Sequence, residues 1–159
     1  MVDSWELVID AMTETDARAV AEWRYPEPYS FYNWSTFPDD IDELLDPAGW
    51  GTVFFSARDT RDGLVGYFDF HTIAGSDAGS LTVGLGMRPD LTGRGRGRLF
   101  VESGLRFAGE RFRPRRFSLQ VATFNQRAIR VYEALGFRHL GVEPGPMEGI
   151  EFLSMERPA

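Results

Sequence analysis

A chain of 159 residues in which 43% are apolar can bury a core without cross-links, which excludes a disordered protein. The absence of cysteine excludes disulfides and thiolate catalysis, and the presence of only two histidines disfavours a histidine-rich metal site. No apolar run approaches the roughly 18 residues that cross a membrane, and a signal pattern is not found at the N-terminus. We therefore expect one cytoplasmic domain over residues 1–159, with no metal and no membrane partner.

The charge of the chain is distributed unevenly around a net value of −7. All 17 basic residues are arginines. Residues 1–87 carry a net charge of −12, whereas residues 88–116 carry +6. A short basic block favours a compact polyanion such as a nucleotide cofactor, and an acidic remainder favours a cationic partner. The acidic majority of the chain argues against nucleic acid as a partner.

The first half of the chain predicts four strands and two helices. Thr13 begins a helix-capping signal, and apolar residues at helical spacing follow it. A second, short helix is predicted over residues 39–45, and Pro47 stops it. The strands are expected at residues 5–11, 52–57, 64–72 and 81–87, with turns at 61–63 and 75–79 connecting the last three.

The second half predicts two helices and three strands. The helix over residues 98–112 should bury one face, formed by Leu99, Leu105, Ala108 and Phe112. Asn125 should cap the next helix and Gly136 should end it, with a core face of Ala128, Ile129, Tyr132 and Leu135. The strands are expected at 117–122, 137–142 and 150–155. The order β-α-α-β-β-β-α-β-α-β-β predicts an α+β domain with a central mixed sheet.

A glycine-rich loop, Thr-Gly-Arg-Gly-Arg-Gly over residues 92–97, lies between a predicted strand and a predicted helix. Its glycines let the backbone approach a ligand, and the helix start adds a partial positive charge, so the loop suits a pyrophosphate. Three arginines stand at its rim: Arg94, Arg96 and Arg98. A P-loop would need a lysine, a Rossmann fingerprint would need a different spacing, and an arginine-glycine tail that binds RNA would be disordered. A turn that merely connects the strand to the helix stays open as an alternative.

A second motif covers residues 121–137, in which Asn125 and Tyr132 lie two helical turns apart on one face. Together with the Met-Arg-Pro-Asp strand end and the glycine loop, it resembles the core of the GNAT N-acetyltransferases. Within that superfamily, residues 81–137 are most similar to the bacterial branch of ribosomal-protein N-acetyltransferases. The resemblance implies a GNAT-like, mostly antiparallel mixed sheet flanked by about four helices, with a splayed V between strands 4 and 5.

The resemblance also implies site residues for acetyl-CoA. Backbone groups of Met87 would hold the pantetheine arm, and its N–H would stabilise the oxyanion. The loop amides would bind the pyrophosphate, and Asn125 would bond the pantetheine or a water. Tyr132 would protonate the leaving thiolate, although a core aromatic with a satisfied hydroxyl is the alternative. The implied cofactor-binding set is Met87, Arg88, Arg94, Gly95, Arg96, Gly97, Arg98 and Asn125.

Two positions depart from the family pattern. Thr92 stands where the loop normally begins with Gln or Arg, so one contact to the cofactor is in doubt. Gln120 stands where ribosomal-protein acetyltransferases carry a glutamate that resembles a general base. The remaining base candidates are Asp69 and His71, which share a strand face with Tyr67; ordinary solvent-facing alternation would explain them equally.

The acceptor side is expected in residues 23–37, which contain seven aromatic residues. Aromatic faces and the acidic residues that follow suit a cationic amine; packing as a satellite core is the alternative. From this segment we assign Tyr29, Tyr32 and Trp34 to acceptor binding, together with Asp69 and His71.

These observations predict transfer of an acetyl group from acetyl-CoA to a primary amine by direct attack. The amine would belong to a small molecule, a lysine or a protein N-terminus. The alternative function is a non-catalytic acyl-CoA-binding or sensor module. A homodimer is compatible with either function, and the expected ligands are acetyl-CoA and the amine.

Overall fold

A computed structural model of the chain describes residues 5–73, 75 and 78–159. Within these residues it contains four α-helices and seven strands in the predicted order. They are β1 (Val8–Ala11), α1 (Glu14–Ala21), α2 (Pro38–Leu44), β2 (Phe54–Asp59), β3 (Gly63–His71), β4 (Ser80–Met87), α3 (Gly97–Phe112), β5 (Arg116–Ala122), α4 (Gln126–Ala134), β6 (Arg138–Pro144) and β7 (Glu151–Pro158). Short 3₁₀ turns lie at Tyr29–Tyr32, Trp34–Thr36, Pro47–Gly49 and Pro89–Leu91. Part of the connection expected at 75–79, residues 76 and 77, lies outside the described residues.

The strands form one sheet in the order β1-β2-β3-β4-β5-β7-β6. The pairs β1–β2, β2–β3, β5–β7 and β6–β7 are antiparallel, whereas β4 and β5 run parallel. The register of β4 with β5 runs from Ser80↔Arg116 to Thr82↔Ser118, while both strands continue further. The parallel pair of β4 and β5 is the one that the expected fold requires, and a splay between these strands stays a prediction. The predicted fold class, a mixed and mostly antiparallel sheet with four helices, is confirmed.

Two compact units are distinguished by their internal contacts. Unit 1 contains the residues up to Asp69 together with Leu85–Arg94, and unit 2 contains Phe70–Gly84 together with Gly95–Ala159. In unit 1, α1 and α2 pack on β2 around a core of Met12, Ala17, Val20, Leu44 and Phe54. In unit 2, buried residues of α3 and β5 form much of the core, among them Phe100, Leu105, Ala108, Phe117 and Leu119.

The capping residues that the sequence indicated begin and end their helices. The Thr13 side chain accepts a hydrogen bond of 3.2 Å from the Asp16 N–H at the start of α1. Asn125 does the same for the Ala128 N–H at the start of α4, also at 3.2 Å. Gly136 follows the end of α4 with φ +91°, a conformation that glycine adopts without strain.

Three sequence predictions about these elements were wrong in detail. The first strand begins at Val8 rather than residue 5, because its partner strand β2 ends at Asp59, one residue beyond the pair Val8↔Arg58. The second strand begins at Phe54 rather than residue 52, because Gly51 turns the chain with φ +81°. Leu99, which the periodicity predicts in the core, is 37% exposed, since the buried stripe of α3 begins at Phe100, which is 1% exposed.

Candidate active site

The end of β4 in unit 1 is fixed by its pairing with β3. The Arg88 N–H donates to the Val65 carbonyl at 2.8 Å. Peptide groups alternate along a strand, so the N–H and C=O of the preceding residue, Met87, point to the edge of β4 that faces away from β3. The main chain of Met87 therefore points away from β3, and its role in holding the pantetheine arm stays a prediction.

One of these two main-chain groups has a partner that the sequence did not predict. The Tyr25 hydroxyl donates a hydrogen bond of 2.7 Å to the Met87 carbonyl. The Tyr25 N–H in turn donates to Oδ1 of Asn33 at 2.8 Å. Burial raises the pKa of the Tyr25 phenol above its ordinary value of 10.0, so the hydroxyl remains a donor at neutral and mildly alkaline pH. Tyr25 and Met87 are 62 positions apart, so no local pattern identified this contact.

The Arg88 side chain ties the same strand end to the turn between β2 and β3 and to the start of β3. Its Nη1 donates to the carbonyls of Asp62 at 2.7 Å and Leu64 at 3.0 Å, and its Nε donates to the Asp90 carboxylate at 2.7 Å. The hydrogen bond with Asp90 raises the pKa of Arg88 and lowers that of Asp90. The Arg88 guanidinium thus fixes the end of β4. A contact of Arg88 with the cofactor remains a prediction.

The glycine loop adopts conformations that require glycine. Gly93 has φ +73° and Gly95 has φ +78°, and a Cβ atom on Gly95 would meet nothing within 4 Å. The Thr92 hydroxyl bonds back to the Pro89 carbonyl at 2.8 Å, so it stabilises its own turn. Thr92 therefore does not replace the side-chain contact that the family's Gln or Arg would supply.

The first turn of α3 in unit 2 offers free donors to an anion. In the part of the chain that the structure describes, the amides of Gly97, Arg98 and Leu99 have no hydrogen-bond partner; Phe100 is the first to donate, to the Arg96 carbonyl at 3.1 Å. The helix has no capping side chain and no acidic residue in its first turn. Unpaired amides, the helix dipole and open space beside Gly95 fit a pyrophosphate.

Two arginines that stand on either side of the last two loop glycines in the sequence, Arg94 and Arg98, are exposed. Neither Arg94, at the end of unit 1, nor Arg98, in α3, forms an ion pair or a side-chain hydrogen bond with another described residue. Arg96 is half-buried and precedes the helix as its N-cap residue. Arg94 and Arg98 thus carry charge that no described carboxylate neutralises through a direct contact, as a phosphate-binding role requires.

Helix α4 packs beside the start of α3 within unit 2. A Cβ atom on Gly97 would lie 3.4 Å from Cγ2 of Val131, which immediately precedes Tyr132. Tyr132 is buried, and its ring contacts Phe137 edge-on at a centroid distance of 5.8 Å. Asn125 uses Oδ1 as the helix cap, so any bond to the cofactor would come from its amide nitrogen or from the second lone pair of Oδ1. The structure therefore brings the helix of Tyr132 to the free amides of α3.

The aromatic segment of unit 1 packs against the core and also stays partly exposed. The ring centroid of Trp34 lies 5.7 Å from that of Tyr67 and 6.3 Å from that of Phe54. The centroids of Trp23 and Tyr67 are 6.3 Å apart. The other two predicted acceptor residues, Tyr29 and Tyr32, begin and end one 3₁₀ turn and are half-exposed. The segment thus provides packing for unit 1 as well as accessible aromatic surface.

The base candidates differ in surroundings. Gln120 is exposed and pairs with Ser154 of β7. Asp69 of unit 1 is half-buried opposite Phe54, and His71 of unit 2 is exposed at the end of β3. Among the described residues, no three His, Cys, Asp or Glu side chains are grouped as metal ligands, and no helix has the length and apolar character to cross a membrane.

Comparisons with known proteins agree with the motifs of the loop and of α4. The Acetyltransferase (GNAT) domain family matches residues 6–138. A mycothiol acetyltransferase from Acidothermus cellulolyticus is 34% identical over 148 residues, covering 84% of this chain and 42% of that protein. The chain thus spans about two fifths of the length of this curated relative.

Solved structures share the fold. A GNAT-family acetyltransferase from Bacillus anthracis gives a TM-score of 0.71 at 17% identity, covering 98% of this chain and 96% of that one. Mutant forms of the spermidine/spermine N-acetyltransferase from Vibrio cholerae give a TM-score of 0.70 at 21% identity, covering 96% of this chain and 95% of that one. The superfamily that the sequence indicated is confirmed by the family match and by this fold. The chain belongs to the GNAT acetyltransferases, the family that transfers an acetyl group from acetyl-CoA to an amine.

Proposed function

We propose that this chain, as one catalytic domain, binds acetyl-CoA and transfers its acetyl group directly to a cationic primary amine. The observation that carries the proposal is the row of unpartnered amides at Gly97, Arg98 and Leu99. These amides follow Gly95, beside which the space is open. A pyrophosphate accepts such donors, and Arg94 and Arg98 supply the matching positive charge.

The proposed chemistry needs three groups of the protein. The amine nitrogen forms the new C–N bond with the thioester carbon while the C–S bond breaks. The Met87 N–H, which points away from β3, stabilises the negative charge that develops on the carbonyl oxygen. The Tyr132 hydroxyl gives its proton to the departing thiolate and is reprotonated from solvent.

The proton of the amine requires a separate route. A lysine-type amine has a pKa of about 10 and attacks only after it loses a proton. Gln120 cannot accept that proton, because an amide is not basic at neutral pH. We assign the removal to Asp69 or His71, or to an ordered water that passes the proton to bulk solvent.

A cationic acceptor is supported by the surroundings of the aromatic segment. Tyr29 and Tyr32 are half-exposed, and an acidic run follows them, with exposed carboxylates at Asp39, Asp40, Asp42 and Glu43. Aromatic faces and carboxylates attract an ammonium group. Small polyamines, lysine peptides and free N-termini share this chemistry, and a place in the ribosomal-protein branch would favour the N-terminus of a protein.

The replacement of the family glutamate by Gln120 also favours a second candidate, a module that binds acyl-CoA without transferring it. The two candidates differ only in whether the bound acetyl-CoA gives up its acetyl group.

The test is a thermal-shift titration with acetyl-CoA, followed by a measurement of thiol release with a panel of polyamines, lysine peptides and N-terminal peptides. At about 100 times the Kd, binding adds about 2.7 kcal/mol of stability and raises Tm. A Tm that acetyl-CoA does not change contradicts both candidates, and binding without thiol release for any amine supports the module.

A further inference from the structure

The last residues of β4 include the proposed oxyanion donor, Met87, and two glycines, which allow the backbone more conformations than other residues do. Gly84 and Gly86 alternate with Leu85 and Met87, and glycine restricts its own dihedral angles less than any other residue. The Met87 N–H belongs to the peptide bond that Gly86 begins. An oxyanion donor acts through a fixed position, so other contacts must restrain this part of the strand.

Among the described residues, the registered pairing of β4 with β5 does not extend to the end of β4. The registered pairs of β4 with β5 end at Thr82↔Ser118, five residues before Met87. On the other edge, the Arg88 N–H bonds to the Val65 carbonyl at 2.8 Å. The Tyr25 hydroxyl bonds to the Met87 carbonyl at 2.7 Å, in the position that a strand N–H would otherwise occupy.

Tyr25 and Val65 therefore hold the same peptide group from opposite sides. The Met87 carbonyl and the Arg88 N–H are the two ends of one planar unit, so two bonds fix its orientation. Tyr25 is itself restrained, because its N–H donates to Oδ1 of Asn33 at 2.8 Å. Its phenol is protonated at neutral pH, as an ordinary phenol is, and burial raises its pKa further.

We propose that Tyr25 is a positioning residue of the acetyl-transfer reaction. It occupies the Met87 carbonyl and orients the Met87 main chain, so that the Met87 N–H is directed at the thioester carbonyl. The assignment rests on the proposed function. It also revises the expectation that both main-chain groups of Met87 bind the pantetheine arm, because the carbonyl already accepts a bond from within the protein.

The test compares the wild type with Tyr25→Phe, which removes the hydroxyl and keeps the ring. Acetyl-CoA carrying ¹³C at the thioester carbonyl is bound to each protein, and the carbonyl stretch is measured by isotope-edited infrared spectroscopy. In the wild type the stretch shifts to lower frequency on binding, and in Tyr25→Phe most of this shift is lost. With the best amine of the acceptor panel, kcat falls roughly 10- to 100-fold, below the effect of deleting an oxyanion donor outright, while the Kd of acetyl-CoA changes about threefold or less.

Thr52→Val is the matched control. It removes a hydroxyl that donates to the Ala48 carbonyl at 2.9 Å, in unit 1 but in the turn before β2. We expect this variant to keep the wild-type infrared shift and kcat. A Tyr25→Phe protein with the wild-type shift and kcat overturns the assignment, and so does an equal loss of both quantities in Thr52→Val.

Variants of Asn33 test the assignment if Tyr25→Phe does not fold. Asn33→Ala releases the Tyr25 main chain without touching the phenol, and it should reduce the infrared shift and kcat in the same direction. Asn33→Asp keeps an acceptor oxygen and should restore both; an Asn33→Ala protein that matches the wild type overturns the assignment. Failure of the wild type to bind acetyl-CoA refutes the proposed function instead, which separates the two failures.

Discussion

The ring of Tyr67 lies directly over Gly86, so closely that a Cβ atom on Gly86 would be 2.4 Å from Cε1 of that ring. The bond between Arg88 and Val65 sets the antiparallel register that places Tyr67 opposite Gly86. The ring cannot withdraw easily, because Trp23 and Trp34 both contact it. Glycine at position 86 thus allows the aromatic packing of unit 1 to reach the strand that ends at Met87.

Gly86→Ala should therefore lower the free energy of unfolding by about 1–3 kcal/mol, the usual cost of overpacking. Urea unfolding measures this value. Gly109→Ala is the matched control, because it lies inside α3 and a Cβ there meets nothing within 4 Å. Alanine is the better helix former by about 1 kcal/mol, so the control should be stabilised. Equal stability of the Gly86→Ala protein and the wild type would contradict the close packing of Tyr67.

A second glycine prediction concerns the cofactor loop. Gly95→Ala meets no steric obstacle but must hold φ +78°, which costs an L-residue about 1–2 kcal/mol. If the loop presents its amides to a pyrophosphate, a change of this backbone should also weaken acetyl-CoA binding by about tenfold, equivalent to about 1.4 kcal/mol. Calorimetric titration measures the Kd. A destabilised protein with an unchanged Kd would mean that the loop merely connects β4 to α3.

The elements were predictable because their signals are local. Thr13, Asn125 and Gly136 each act within a few residues of their own position, so cap and stop residues could be identified in the sequence. Leu99 shows where local periodicity fails. Leu99 and Phe100 are adjacent and both apolar, and only tertiary packing decides which of them faces the core.

The site was predictable only as far as its motifs extend. The glycine loop and the helix of Asn125 and Tyr132 are continuous in sequence, and their spacing indicated the family that was later confirmed. The bond between Tyr25 and Met87 joins positions 62 residues apart. It depends on how a proline-rich segment returns to β4, which no periodicity encodes. The general base was not predictable either. The family motif would identify a glutamate at position 120, and this chain has Gln120 there.

Tyr132→Phe tests the proposed acid. The variant keeps the buried ring and its contact with Phe137, so the free energy of unfolding and the Kd of acetyl-CoA should change little. Without the hydroxyl the thiolate must leave unprotonated, and kcat should fall about 100-fold, the lower end of general acid catalysis. Steady-state thiol release measures kcat. An unchanged kcat in Tyr132→Phe would mean that Tyr132 is a core aromatic residue and not the acid.

The raised pKa of the Tyr25 phenol makes a specific prediction about alkaline stability. Burial raises its pKa above the ordinary value of 10.0, so above that pH the folded protein keeps a proton that the unfolded chain has lost. The stability that the neutral phenol contributes is complete below pH 10 and declines as the pH rises toward the folded pKa. The free energy of unfolding should fall by up to about 1.4 kcal/mol per pH unit there.

The comparison variant is Tyr25→Phe, which lacks the titrating hydroxyl but retains every other titrating group. Urea unfolding at pH 8 to 11 should therefore show the advantage of the wild type over Tyr25→Phe shrinking above pH 10, and a difference that stays constant would mean that the hydroxyl is accessible to solvent.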